Sequence, residues 1–545
     1  MILAITAIIA TAIPMRAQYP KLTPEAQHKA DSLQAAWKAR SDSAWRVAEP
    51  VVMEEARKGR PYIPWAARPY DLPQADIPAF PGAEGGGMYT FGGRGGRVLT
   101  VTNLNDDGPG SFRWACEQGG ARIVVFNISG VIWLKSPIYV RAPYITIAGQ
   151  TAPGDGVCVA GESFLVDTHD VIVRYMRFRR GSTSLLNRDD SFGGNPVGNI
   201  IIDHCSCEWG LDENISFYRH MYPQTGERRE KLPTVNVTIQ NTISAKALDT
   251  WNHAFGSTLG GENCTFVRNL WASNTGRNPS IGWNGVFNFV NNVVFNWRHR
   301  SADGGDYKAM FNMINNYYKP GPATPKSGQV SHRILRADAS KMSDGTKRCG
   351  RVYAHGNIME GNNLVTADNW AGGIQSEDGA LGPETRSDKP FAMPHVTIMP
   401  AKEAYEYVLE NAGATLPVRD AVDRRVIDEV RTGRIIYNEN LPDSAYGDMR
   451  GLAEESKNED GYFKYRRMDK DSYKSGIITH PAQMGGYPEY HGMPYVDTDA
   501  DGMPDKWERA HGLNPSDPSD ANGDYNGDGY TNIEKFINGI AGDGK

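Results

Sequence analysis

Between about residues 122 and 360 one pattern of apolar and polar positions returns again and again. A short β-branched or aromatic run is followed at once by a polar residue, often Asn: RIVVFNISG, YITIAGQT, DVIVRYMRF, NIIIDHCS, NVTIQNTI, CTFVRNLW, FNFVNNVV, FNMINNYY and RVYAHGNIM. Each run reads as a short strand. The central residues Thr146, Ile172, Ile201, Thr238, Phe266, Phe289, Met313 and Ala354 are separated by 26, 29, 37, 28, 23, 24 and 41 residues. No amphipathic helix fits between them, which argues against βαβ units. A propeller blade needs several strands per repeat, so these intervals are too short for one. The pattern predicts an all-β solenoid, a right-handed parallel β-helix whose strands stack coil on coil, the longer intervals carrying inserted loops. Asn241, Asn269, Asn292, Asn316 and Asn357 close their phrases. They are expected to stack as an amide ladder inside a turn, a structural role.

The flanks read differently. Residues 22–60 predict a helix opened by Thr23 with Pro24 at its first position, with Trp37, Trp45 and Val51 as a packing face. Gly59 to Pro81 is an extended, Pro-rich connector. The glycine clusters FPGAEGGG and GGRGG follow; they lack the Lys-Ser/Thr and strand–helix setting of a phosphate loop. Beyond about 395, MPAKEAYEYVLENAGA and RDAVDRRVIDEVRTGR have helical spacing and are expected on the outside or end of the solenoid. Residues 437–490 are polar and irregular.

At 545 residues the chain exceeds one ordinary core unless that core is extended by repetition. A net charge of −6 gives no argument for nucleic acid. An acidic ligand would therefore need a local basic cleft or a bound cation. The start, MILAITAIIATAIPMRAQYP, reads as a secretory signal cut near Ala17, so the protein is expected to be exported, with no membrane span in its mature form. Six cysteines in so large a chain make no disulfide framework; small buried core residues is the reading they favour. The organisation expected is 1–17 signal, 18–79 helix and connector, 80–395 solenoid, 396–494 tail and 495–545 a small cation-binding module.

Candidate chemistry concentrates in two places. In NRDDSFGG and NIIIDHCSCEWGLD, Asp189, Asp190, Glu208 and Asp212 lie at strand ends with no Cys/His set beside them, which suits a hard cation such as Ca²⁺. Near the C-terminus, Asp497, Asp499, Asp501, Gly502, Asp505 and Glu508 match positions 1, 3, 5, 6, 9 and 12 of an EF-hand-type loop. Asp524, Asn526 and Asp528 start a second such loop, whose Glu534 comes one place early.

FPGAEGGG, GGRGG, VTNLNDDGPGSFRWA, IVVFNISGVI, NIIIDHCSCEWGLD and GRNPSI, in this order, resemble the pectate lyases of polysaccharide lyase family 1. AKEAYEYVLENAGATLPVRDAVD is similar to the tail of that family's secreted bacterial members, and the resemblance spans about Phe80 to Arg434. It implies cleavage of polygalacturonate by Ca²⁺-dependent β-elimination. It further implies that Asp190, Glu208 and Asp212 hold Ca²⁺, that Arg277 abstracts the proton, and that Lys246 binds substrate carboxylate. From chemistry alone Lys246 ranks level with Arg277 as the base. The second Arg that the family often carries after the proline is replaced here by the stretch Ser280-Ile281-Gly282-Trp283. The partner expected is an acidic polysaccharide, met by a monomer. A β-helix glycoside hydrolase with paired acids, and a non-catalytic polysaccharide-binding β-helix, are the rival readings.

Overall fold

The computed structural model describes residues 21–542 apart from 184–185, 224–225, 227, 284, 440–450, 460–462 and 465. The proposed signal segment lies outside the described residues. The chain enters as a helix, Pro24–Arg57, where Thr23 Oγ1 accepts from the Ala26 N–H and Pro24 takes the first position, as the sequence predicts. Its buried stripe is Ala26, Ala30, Trp37, Ser41, Ala48 and Val52. Trp37 belongs to that stripe, whereas Val51 is exposed and its neighbour Val52 does the packing. The helix lies across the first coils: Asp42 pairs with Arg141, and Glu55 accepts from the Ala121 N–H.

The body is a parallel β-helix of three sheets. The first has ten strands, from Arg97–Val101 and Arg122–Phe126 through Gly198–Asp203 to Arg351–His355. The second has nine, from Gly130–Trp133 through Ser206–Glu208 to Ile358–Met359. The third is built of a three-stranded part ending at Phe192–Gly194 and a five-stranded part from Thr258–Leu259 to Ile374–Ser376. Single bridges at Phe192–Ile215 and Phe217–Leu259 join the two parts. Within the first sheet Thr146 pairs with Ile172, Ile172 with Ile201 and Ile201 with Thr238, in the predicted register. At the next step the expected partner is off by one: Thr238 pairs with Thr265, and Ile239 with Phe266. A one-residue offset changes face, so Ile239 and Phe266 point into the core while Thr238 and Thr265 point out to receive the glycine strap.

That offset also corrects the asparagine ladder. Asn241 is not its first rung; it occupies the left-handed turn position one residue earlier (φ 50°), where Arg268, Asn291 and Asn315 follow it. The ladder runs Asn269, Asn292, Asn316, Asn357 and ends on Asn369, each Nδ2 donating to a carbonyl or to the next amide. A second ladder, Asp170–Asn199–Asn236–Asn263, lines the opposite end of the first-sheet strands. Inside, Phe112, Phe126, Phe164, Phe178, Phe192 and Phe217 stack along the solenoid. All six cysteines are buried and unbridged.

The glycine clusters form a strap against the outer face of the first sheet. A Cβ at Gly86 would stand 1.8 Å from the Asn263 carbonyl, and one at Gly93 1.9 Å from that of Arg122, so close approach demands glycine. Helices Ala401–Asn411 and Ala421–Thr432 cover the outer face of the second sheet, burying Val408, Leu409, Val426, Ile427 and Val430 on Ile243, Leu270, Val293 and Phe295. The C-terminal lobe is not free-standing. Met503, Ala521, Ile533, Phe536 and Ile537 pack on Ile123, Val125 and Ala148 of the first sheet. Arg94 pairs with Glu534 at 2.9 Å to tie it to the strap. Among the described residues no helix is long and apolar enough to cross a membrane.

Candidate active site

The loops that enter the third sheet bring together three carboxylates: Asp190, Asp212 and Glu213, with ligand atoms within 4.8 Å of one another. Local backbone contacts set this up. The Asp189 carbonyl accepts from the N–H groups of Leu211 and Asp212, and the Glu213 N–H donates to Asp190 Oδ1 at 2.9 Å. Gly193 leaves room for the cluster, since a Cβ there would lie 2.7 Å from Asp190 Oδ2. Burial, with the charges of Glu213 and Asp212, holds the Asp190 carboxyl far above its ordinary range. Burial and the Glu213 charge push Asp212 up to about 8. Burial works the same way on Glu213, but the Arg277 charge together with hydrogen bonds from Asp190, Thr258 and Arg277 brings that carboxyl below its usual value. Three acids crowded so that two resist ionising form a site that a cation relieves, and Asp212 Oδ1 has no hydrogen-bond partner within the protein.

Arg277 faces this cluster. Its Nη1 contacts Glu213 Oε1 and lies 3.9 Å from Asp212 Oδ1. Its guanidinium carbon stands 4.4 Å from the centre of the Phe255 ring, and that of Arg300, one coil on, stands 5.0 Å from the same ring. Arg300 thus supplies a second guanidinium where Ser280–Trp283 has none. His253 Nε2 lies 3.4 Å from Asp212 Oδ1, and burial together with Arg277 pulls its pKa down to about 3, so it is a neutral neighbour. Glu213, His253 and Arg300 escaped the sequence reading. Glu213 adjoins Asp212, a residue the sequence singled out, and only the turn at Trp209–Asp212 brings it to the cluster while Glu208 stays in its strand.

Two predicted residues lie elsewhere. Glu208 is fully buried at the end of its strand, in register with Arg179 on the neighbouring coil. Arg179 Nε donates to Glu208 Oε2 at 2.5 Å and its other nitrogens reach Asp420 and Asp423 on the covering helix. Glu208 therefore does not join the cluster; Glu213 stands in its place. Lys246 is likewise buried, its Nζ 2.5 Å from Glu429 Oε2 and 3.4 Å from the Gly476 carbonyl. It is paired with Glu429 of the Ala421–Thr432 helix and does not face the three-carboxylate cluster.

The two C-terminal loops also divide. In the first, Asp497, Asp499 and Asp501 form one cluster, and Asp501, Glu508 and Asp520 another that shares Asp501. Asp505 is withdrawn from it, accepting from the N–H and hydroxyl of Thr498 and pairing with Arg509. Asp520, absent from the sequence reading, replaces it. In the second loop Lys535 Nζ contacts Asp524, lies 3.2 Å from Asp528 and donates to the Tyr530 carbonyl at 2.8 Å. Asn526 bonds Asp528 at 3.1 Å. Asp524 and Asp528 thus hold an ammonium of the chain itself, with Asn526 bonded to Asp528.

Fold and site together define a β-helix enzyme with a carboxylate cluster able to hold a cation and an adjoining guanidinium. The chain is 33% identical to "Probable pectate lyase C" of Aspergillus flavus over 476 residues, covering 85% of this chain and 94% of that protein. The Aspergillus fumigatus protein of the same name is 33% identical over 474 residues, covering 85% and 93%. "Pectate lyase 1" of Cryptomeria japonica is 26% identical over 315 residues, covering 52% and 80%. Among solved structures, the major allergen from cedar pollen matches with TM-score 0.40 and 18% identity, covering 61% of this chain and 92% of that one. A Bacillus sp. N165 pectate lyase in complex with trigalacturonate matches with TM-score 0.37 and 14% identity, covering 61% and 98%. No protein-family model matches the chain. The chain belongs to the pectate lyase family.

Proposed function

We propose that this protein is an exported, Ca²⁺-dependent pectate lyase that cleaves α-1,4-linked polygalacturonate by β-elimination, leaving a 4,5-unsaturated end. The observation that carries the reading is the convergence of Asp190, Asp212 and Glu213 with Arg277 on one flank of the solenoid. The three carboxylates, with no soft ligand among them, fit a hard cation, and they would hold Ca²⁺. When bound, that cation supplies positive charge beside the uronate carboxylate and so stabilises charge developing on it. Export rests on the N-terminal sequence alone.

Elimination begins with loss of the proton on C5, next to the uronate carboxylate. We assign that proton to Arg277, which stands against the carboxylate cluster. Burial pulls its pKa down, while Glu213 and Asp212 hold it above the ordinary arginine value. Were those carboxylates to hold a cation, burial and the Arg300 guanidinium over the shared Phe255 ring would remain. Both favour the neutral base. Arg300, paired with Asp303 at 2.7 Å, also offers a positive charge to a neighbouring uronate. A glycoside hydrolase would use a pair of carboxyl groups set across the scissile bond; the guanidinium of Arg277 against the acids favours elimination instead.

The test is polygalacturonate with Ca²⁺, followed by ultraviolet absorbance of the unsaturated product. Reducing ends without that absorbance would identify a hydrolase, and neither signal a binding protein.

A further inference from the structure

The C-terminal lobe holds five acidic side chains against the outer face of the first sheet, and two of them are nearly inaccessible: Glu508 is 0% and Asp501 3% exposed. Neither carboxylate oxygen of Glu508, neither of Asp499, nor Asp501 Oδ2, nor Asp520 Oδ1 has a hydrogen-bond partner within the protein. Buried carboxylates without partners are costly, and a coordinated cation removes the cost. The remaining oxygens are used to shape the loop. Asp497 accepts from the N–H groups of Asp501 and Gly502, and Asp501 Oδ1 from that of Met503.

The second loop solves the same electrostatic problem without a metal. Counting Asp524 as position 1, Asp528 is position 5, Tyr530 supplies the position-7 carbonyl, and Lys535 occupies position 12. In an EF-hand loop position 12 carries a bidentate Glu. Here its ammonium instead reaches the oxygens of positions 1, 5 and 7. The other nearby donors are taken. Asn532 Oδ1 accepts from the Tyr525 N–H, and Glu534 caps its own helix through Thr531 and pairs with Arg94.

We propose that the lobe is a one-metal clamp: Asp497, Asp499, Asp501, Glu508 and Asp520 bind one hard divalent cation of the Ca²⁺ type, which fastens the lobe to the solenoid, while Lys535 serves as the built-in cation of the second loop. Metal and docking are coupled by position. Gly502 turns so close to the sheet that a Cβ would meet Val98 at 2.6 Å and Val125 at 2.9 Å. Met503, next in the chain, is buried on Ile123 and Val125, and Ala521, next to Asp520, packs in the same cluster. Drawing the five acids together therefore seats both apolar contacts. This clamp is independent of the catalytic cluster.

Calorimetric titration of the full chain with Ca²⁺ alone counts the sites. Relative to the parent protein, Glu508→Gln is expected to lose one equivalent, Asp524→Asn none, and Lys535→Glu to gain one. Loss of an equivalent in Asp524→Asn, or none in Glu508→Gln, would overturn the assignment. The parent protein offers a check that needs no variant. Limited proteolysis in chelator is expected to open the chain near residue 496, and Ca²⁺ to protect it; equal cleavage in both conditions refutes the clamp.

Discussion

Glu213 and Glu208 offer the sharpest test of the site, because sequence spacing chose one and the structure the other. Glu213→Gln keeps an oxygen in the cluster and removes one charge. A divalent cation 2.4 Å from a carboxylate oxygen gains about 3.5 kcal/mol from that charge even with full aqueous screening. Part of this is offset. Asp212, held up to about 8 largely by burial and by Glu213, ionises more easily in the variant. At neutral pH that relief is worth about 1.4 kcal/mol at most. The net loss is about 2 kcal/mol, or about 30-fold in Ca²⁺ affinity. The assay is initial lyase rate against Ca²⁺ concentration, read by ultraviolet absorbance, with excess Ca²⁺ recovering part of the rate. Glu208→Gln should leave the Ca²⁺ midpoint in place. It removes the charge from the bond to Arg179, which keeps Asp420 and Asp423, so it should cost at most about 1.5–3 kcal/mol of stability and lower the unfolding midpoint. If Glu208→Gln moves the Ca²⁺ midpoint tenfold (roughly one unit of log affinity) while Glu213→Gln leaves it unchanged, the cluster assignment is wrong.

Arg277→Lys keeps the charge but alters reach and geometry, and should lower the turnover rate on the order of 10²-fold with the Ca²⁺ midpoint nearly unchanged; a wild-type rate would remove Arg277 as the base. Lys246→Met strands Glu429 in the core and should destabilise the fold by about 3–5 kcal/mol, read by denaturant unfolding. Pairing it with Glu429→Leu should restore most of that, whereas a folded Lys246→Met enzyme with a raised KM would return Lys246 to the substrate site. Because the Asp212 carboxyl is raised to about 8, cation binding must displace its proton. Ca²⁺ affinity should therefore rise with pH through about 8, and a flat profile from acid to alkaline pH would contradict the crowding of the three acids.

The solenoid was legible in the chain because its rule is local. Alternating apolar residues, a left-handed turn residue and an amide recur once per coil, and each is a property of a few consecutive residues. The Thr23–Pro24 helix start and the two covering helices were legible for the same reason. Asp190 and Asp212 stood out as acids at strand ends, and Arg277 through the resemblance of GRNPSI to the pectate lyases. What sequence spacing could not decide was which acid is consumed by an ion pair. Glu208 meets Arg179 through strand register and Asp420 and Asp423 through helix packing; Lys246 meets Glu429 from the far side of the second sheet. Asp520 enters the first C-terminal loop from beyond it, and Lys535 turns its ammonium into the second. Backbone geometry along a short segment sets where a side chain begins. Which opposite charge it is buried with depends on the coils and helices that close over it, and that choice, made by desolvation, is settled only in the tertiary structure.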